Sequence, residues 1–217
     1  MLKGKTIVLG VAGGIAAYKA AELTRRLVEA GAEVHVMMTK AAQQFVTPLT
    51  FQTLSGNPVH TDLFSTPNQM GGIGGRAVSP SDSSEPSGLA SGERINQQIG
   101  HIALADGADL IVIAPATADL LARAAHGLCD DLITTVLVAT RAPVLFAPSM
   151  NVHMWEHPIT RENTDRLRKL GCTVLEPAAG PLACGTEGKG RLPETEELLR
   201  EISKQFTHGR KFPRVVD

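Results

Sequence analysis

"TIVLGVAGGIAAYKAAELTRRLVEAGAEVHVMMT" (residues 6–39) decides the fold. Its opening, "TIVLGVA" (6–12), is a short apolar run rich in β-branched residues, which predicts a buried strand. Gly13 and Gly14 punctuate the run. Behind them Ala16, Ala20, Leu23 and Leu27 fall on one helical face, and Gly31 closes that helix. "EVHVMMT" (33–39) predicts the next strand. Strand, helix and strand in close succession read as two parallel strands joined by a crossover helix.

The alternation continues along the chain. "DLIVIAPA" (109–116), "APVLFAP" (142–148) and "CTVLEP" (172–177) predict three more strands. Helices are predicted over 119–127, 130–140, 158–170 and 194–206. Pro158 and Pro193 suit first-turn positions, and Glu194, Glu196 and Glu197 favour a helix N-terminus. The expected architecture is α/β, a parallel sheet covered by helices on both faces. With 217 residues, 43% of them hydrophobic, the chain fills one sizeable core, so 1–217 is read as one domain. One stretch departs from the pattern. Residues 65–94 are more than half Gly, Ser and Pro and hold too little apolar surface to order themselves. They predict a flexible insertion loop, either an active-site flap or a tolerated insertion. Residues 207–217 read as a tail.

Composition removes several function classes. A net charge of −1, with no long basic run outside "HGRKFPR" (208–214), argues against nucleic-acid binding. No apolar stretch approaches the ~20 residues that span a bilayer, and the N-terminus reads as a strand rather than a signal peptide. Cys129, Cys172 and Cys184 form no CxxC pair and are odd in number. The expectation is free thiols in a cytoplasmic protein, with no metal site.

Ligands of parallel sheets sit beyond the carboxyl ends of the strands, and this sequence places unusual residues there. Gly13 and Gly14 stand where a strand turns into a helix, and read as a phosphate cradle or as a plain tight turn. "APATAD" (114–119) brings Thr117 and Asp119 after a strand; Asp119 is a candidate N-cap for a helix starting at Leu120, a ligand contact, or both. "APSMNVHMWEHP" (147–158) holds Met150, Asn151, Met154 and the sole tryptophan, a set that fits either core or a ligand-contacting loop. His101 is one of seven histidines that residue patterns do not rank. "GPLACGTEGKGRLP" (180–193) surrounds Cys184 with glycines, which permits movement and close backbone approach.

Taken together, "GGIAAYK", "GHIALAD", "APATAD", "PSMNVHMW" and "ACGTEGKGRL" resemble, in order, the motifs of the homo-oligomeric flavin-containing cysteine decarboxylases, the phosphopantothenoylcysteine decarboxylases among them. The resemblance runs from about residue 4 to about 203, apart from 65–94. It implies a Rossmann-like, flavodoxin-type three-layer fold, bound FMN, and trimers or dodecamers with active sites between subunits. It implies cofactor contacts from Gly13, Gly14, Ile15, Ala16, Thr39, Thr117, Ala118, Asp119, Leu120 and Ser149. Asn151, flanked by Met150 and Met154, matches the residue that binds the substrate carboxylate; His101 matches the active-site histidine; Cys184 matches the proton-donating cysteine of a substrate clamp. Lys189 is read either as enclosing a phosphorylated substrate end or as solvated.

The implied activity is FMN-dependent oxidative decarboxylation of 4′-phospho-N-pantothenoylcysteine to 4′-phosphopantetheine in coenzyme A biosynthesis, beside a fused or partner synthetase domain. The alternatives are a peptidyl-cysteine decarboxylase and a non-catalytic flavoprotein regulatory subunit. Two departures stand out. The family motif carries Asn where this chain has Asp119, and an ionised Asp accepts hydrogen bonds but donates none. The last motif ends in GRL where GRM is usual, a change of similar volume.

Overall fold

The computed structural model describes residues 2–63, 100–181 and 187–207. The insertion expected at 65–94, Cys184 and the tail beyond Thr207 lie outside the described residues. Six strands form one sheet: β1 (Thr6–Val11), β2 (Glu33–Met38), β3 (Val59–His60), β4 (Leu110–Ala116), β5 (Val144–Pro148) and β6 (Thr173–Val174). Their order is β3-β2-β1-β4-β5-β6, and every neighbouring pair is parallel. This is the expected Rossmann-like, flavodoxin-type α/β architecture. The chain winds outward from β1 to β3, then crosses back and winds outward from β4 to β6. Such a reversal opens a crevice at the carboxyl ends of β1 and β4.

Period-two alternation divides the core between the two faces. Ile7, Leu9 and Val11 point to the side packed by Leu23 and Leu27 of α1 (Ala17–Glu29), Phe51 of α2 (Pro48–Ser55) and Ile202 of α8 (Thr195–Thr207). Val8 and Ala12 point to the other side. There they join Leu104 of α3 (Gly100–Gly107), Leu121 of α4 (Ala118–His126), Ile133 of α5 (Leu132–Ala139) and Leu167 of α7 (Pro158–Lys169). All seven residues of β4 are buried, as a central strand covered on both faces requires. Gly10 belongs to this packing. A Cβ there would stand 2.5 Å from Cδ1 of Ile113. Thr24, buried in α1, satisfies its hydroxyl by donating to the Ala20 carbonyl at 2.8 Å.

Outside the main sheet, β7 (Ala178–Pro181) and β8 (Glu187–Arg191) pair antiparallel, and α6 (Val152–Glu156) makes one short turn. The sequence pattern did not reveal α2, β3, α6 or this hairpin. β3 has two residues, and β8 reads "EGKGR", with no apolar alternation to detect. Other boundaries shift. The strand expected over 172–177 shortens to Thr173–Val174. Pro193 precedes α8, which begins at Thr195, instead of sitting in its first turn.

Leu23 is fully buried. Leu23→Ala should therefore lower unfolding stability by about 2–5 kcal/mol. Equilibrium denaturation with urea measures it, and a loss near zero would contradict the packing of α1 on the sheet.

Candidate cofactor and substrate site

Two adjoining cavities occupy the crevice. The first, about 530 Å³, lies between the start of α1, the end of β4, residues 149–154 and the base of the β7–β8 hairpin. The second, about 620 Å³, lies between the turn after β2 and the first turns of α4 and α5. Gly13, Thr117, Ala118 and Met154 line both.

The glycine pair divides its work. A Cβ on Gly13 would lie 2.3 Å from the Ala41 Cβ and 2.7 Å from the Ala41 carbonyl carbon. Only glycine lets the first turn press so closely on the turn that follows β2. At Gly14 an added Cβ would meet nothing within 4 Å, because that position faces open space. Helix α1 then starts at Ala17 with Ala16 as N-cap, with no side-chain cap among the described residues and no acid in its first turn. Its positive end is thus presented to the first cavity, where an anion is favoured.

Thr117, not Asp119, caps α4: its hydroxyl accepts from Leu120 N at 3.2 Å, and the helix begins at Ala118. The capping reading of Asp119 is therefore corrected. The physical reason is spacing, since an N-cap oxygen bonds an amide two or three residues ahead and Thr117 holds that position. A threonine that accepts in this way still has a proton to donate into either cavity. Asp119 instead receives Nε of Arg123 on both oxygens, at 3.1 and 3.0 Å. The same guanidinium makes a very short contact with Asp130. Hydrogen bonding to these two carboxylates raises the Arg123 pKa, and Arg123 holds the Asp130 carboxyl below its ordinary range. So the carboxylate at 119 finds its own cation. Arg123, Asp130 and Asp62, which the motifs did not single out, all line the second cavity. Thr39 lines it too, and its hydroxyl accepts from Ala42 N at 3.1 Å.

Ser149, Met150, Asn151 and Met154 line the first cavity. They are tied to the hairpin: Met150 N donates to the Gly190 carbonyl at 2.9 Å and the Ser149 hydroxyl donates to it at 3.4 Å. The carboxamide oxygen of Asn151 accepts from His153 N at 2.8 Å, which fixes that side chain at the start of α6. Trp155 separates from this group. It is fully buried, with Arg161 over its ring at 4.5 Å, and belongs to the core.

Two of the residues weighed for the site, His101 and Lys189, line neither cavity. His101 sits in the first turn of α3 and lines neither cavity; its Nδ1 is buried with no partner among the described residues. Cys184 falls between β7 and β8, outside the described residues. Lys189 is more than half exposed, pairs with Glu176 at 3.9 Å and lines neither cavity. In its place Lys19 and Arg191 line the first cavity. Both stood within the sequence motifs, but nothing in a linear pattern shows which way a side chain faces.

A doubly wound parallel sheet with an anion-favouring helix start and paired cavities at its reversal defines the class: a nucleotide- or cofactor-binding α/β protein. The chain belongs to the flavoprotein family, whose model matches residues 1–207. It is 44% identical over 213 residues to the coenzyme A biosynthesis bifunctional protein CoaBC of Bacillus subtilis (strain 168), covering 98% of this chain and 46% of that protein. To the CoaBC protein of Mycolicibacterium smegmatis it is 48% identical over 194 residues, covering 89% and 40%. The chain thus spans less than half the length of these relatives. Among solved structures, a PPC decarboxylase mutant complexed with pantothenoylaminoethenethiol superposes with a TM-score of 0.73 at 28% identity, over 94% of this chain and 98% of that one. The FMN-dependent cysteine decarboxylase SpaF gives 0.70 at 26%, over 95% and 99%.

Two measurements check this geometry. Gly13→Ala should cost about 1–3 kcal/mol of stability through the clash with Ala41, whereas Gly14→Ala should stay within about 0.5 kcal/mol; equal costs in urea denaturation would refute the division of roles. Because Arg123 depresses the folded-state pKa of Asp130, the stabilisation from this pair is complete above the ordinary Asp value of 3.8 and is lost as pH falls through the depressed one. The gap in melting temperature between the parent and Arg123→Met should accordingly narrow on acidification from pH 7 to pH 3, and at pH 7 it should narrow with added salt.

Proposed function

We propose that this chain binds FMN and decarboxylates 4′-phospho-N-pantothenoylcysteine to 4′-phosphopantetheine. The observation that carries this reading is convergence. Gly13–Ala16, Thr117–Ala118, Ser149–Asn151 and Gly190–Leu192 come from four motifs far apart in sequence, and all line one cavity. The CoaBC relatives and the PPC decarboxylase structure supply the substrate class.

The residues present fit a flavin mononucleotide. The open position at Gly14 and the uncapped start of α1 suit a phosphate or a ring edge. Gly13–Ala16, Thr39, Thr117–Leu120 and Ser149 would hold the cofactor. FMN held there would supply the two-electron acceptor needed to bring the cysteinyl thiol to the thioaldehyde level, and would return the same two electrons to the enethiolate once carbon dioxide has left.

The protein supplies position and protons. Asn151 orients the carboxylate that leaves; its bonding pair passes into the C=S group, so an enethiolate remains. His101 takes the proton from the substrate sulfur. Cys184 returns a proton to carbon, a role that suits a thiol because unperturbed thiols titrate at ~8.5, near working pH. Since His101 lines neither cavity of its own chain, a second copy would complete the site, as the resemblance to trimers and dodecamers implies. The bifunctional relatives support a fused or partner synthetase in the same pathway. No described helix is long and apolar enough to cross a membrane.

Purified protein should carry a yellow flavin and release carbon dioxide from 4′-phospho-N-pantothenoylcysteine; a correctly folded sample that does neither refutes the reading. Cys184→Ser should accumulate the enethiol, and normal product from that variant would remove the cysteine from the mechanism. His101→Asn should keep the flavin while losing turnover by about 100-fold or more, and unchanged turnover would discard it as the base.

A further inference from the structure

The two cavities differ in charge. Among the described residues lining the first, only Lys19 and Arg191 are charged. The second is lined by four carboxylates, Asp62, Asp119, Asp130 and Asp131, against Lys40 and Arg123. A dianion entering the crevice is drawn to the first cavity and repelled by the second.

The two cations of the first cavity are held in place. The Lys19 side chain is only 13% exposed, and its Nζ lies 3.0 Å from both carboxylate oxygens of Glu194. Arg191 donates to the same carboxylate at 3.4 Å. These two cations, Lys19 first, keep the Glu194 carboxyl below its usual range. Arg191 also lies across the hairpin: a Cβ on Gly180 would stand 3.0 Å from one of its terminal nitrogens and 3.4 Å from its Cδ. Gly180, at φ +142°, leaves the room that this guanidinium uses. One carboxylate thus joins the helix that follows Gly13 and Gly14 to the strand that follows the Cys184 segment, and it leaves a net positive pair facing the cavity.

We infer that Lys19 and Arg191, organised by Glu194, form a phosphomonoester subsite in the first cavity. A phosphomonoester carries about −1.5 to −2 charges at pH 7 and three acceptor oxygens. The guanidinium offers a planar fork to two of them and the ammonium a compact charge to the third. The longer Arg191–Glu194 contact is the one that yields to the ligand, while Lys19 keeps both of its bonds to Glu194. Two ligands of the proposed reaction bear such a group: the substrate at its 4′ position, and FMN. Assigning the subsite to the substrate rests on the function proposed above; the subsite itself does not.

The test compares each ligand with its dephosphorylated form. In FMN-loaded protein, Lys19→Met and Arg191→Gln should each raise KM for 4′-phospho-N-pantothenoylcysteine by about tenfold or more and leave KM for N-pantothenoylcysteine within about twofold. Lys19→Arg should retain most of the preference, which separates lost charge from lost fold. In apoprotein, the same variants are titrated with FMN and with riboflavin, read by flavin fluorescence. Loss of preference confined to the FMN pair places the cofactor's phosphate at the subsite. Unchanged preference in both pairs, with native circular dichroism, overturns the inference. If the parent protein turns over neither substrate, the proposed function fails and the flavin titration alone decides the subsite.

Discussion

The site depends on the parallel pairing of β1 with β2 on one side and β4 on the other. Ile7 stands in register with Val34 on β2 and with Leu110 on β4, so three strands finish at nearly one level. Parallel strands must all be crossed over by helices, and the helices bury both faces. What remains accessible is the edge where strands end. The winding reverses there, so the loops after β1 and β4 diverge to opposite faces and leave space between them. A methyl at Gly10 would stand 2.5 Å from the terminal Cδ1 of Ile113, so that side chain would have to turn to admit it.

Close approach and open space then alternate within a few residues. Gly13 is pressed against Ala41, which draws the turns after β1 and β2 together. Gly14 faces nothing, which leaves the start of α1 accessible. On the far side, Thr117 uses its hydroxyl to cap α4 and stands at the junction of the two cavities. Gly13 and Thr117 therefore both close the fold and face the ligand space, whereas Gly14 only faces it.

Charge gives the two cavities distinct characters. Arg123 spans Asp119 and Asp130 and so links the first turn of α4 to the loop before α5. Glu194 spans Lys19 and Arg191 and links α1 to the hairpin. Both clusters are partly exposed, so their contribution to stability is modest and salt-dependent. Their larger consequence is orientation: a carboxylate between two cations, and a cation between two carboxylates, fix long side chains that would otherwise sample many rotamers.

The sequence by itself determined the alternation of strands and helices, the burial of β1, β4 and β5 and the glycine turn after β1, because apolar periodicity and glycine act locally. It also ordered the motifs whose residues gather at the sheet's carboxyl edge. Only the tertiary structure decided that Thr117 rather than Asp119 caps α4 and that Trp155 packs in the core while Met154 faces the ligand space. It alone showed that Lys19 and Arg191, not Lys189, face the first cavity, and that His101 lines neither cavity of its own chain. The reason is common to all of these. A residue's type and spacing follow from neighbours along the chain, whereas the direction of a side chain and the identity of its partner depend on groups such as Glu194 and Arg191, which lie some 170 positions away from Lys19 and meet it only after the sheet has closed.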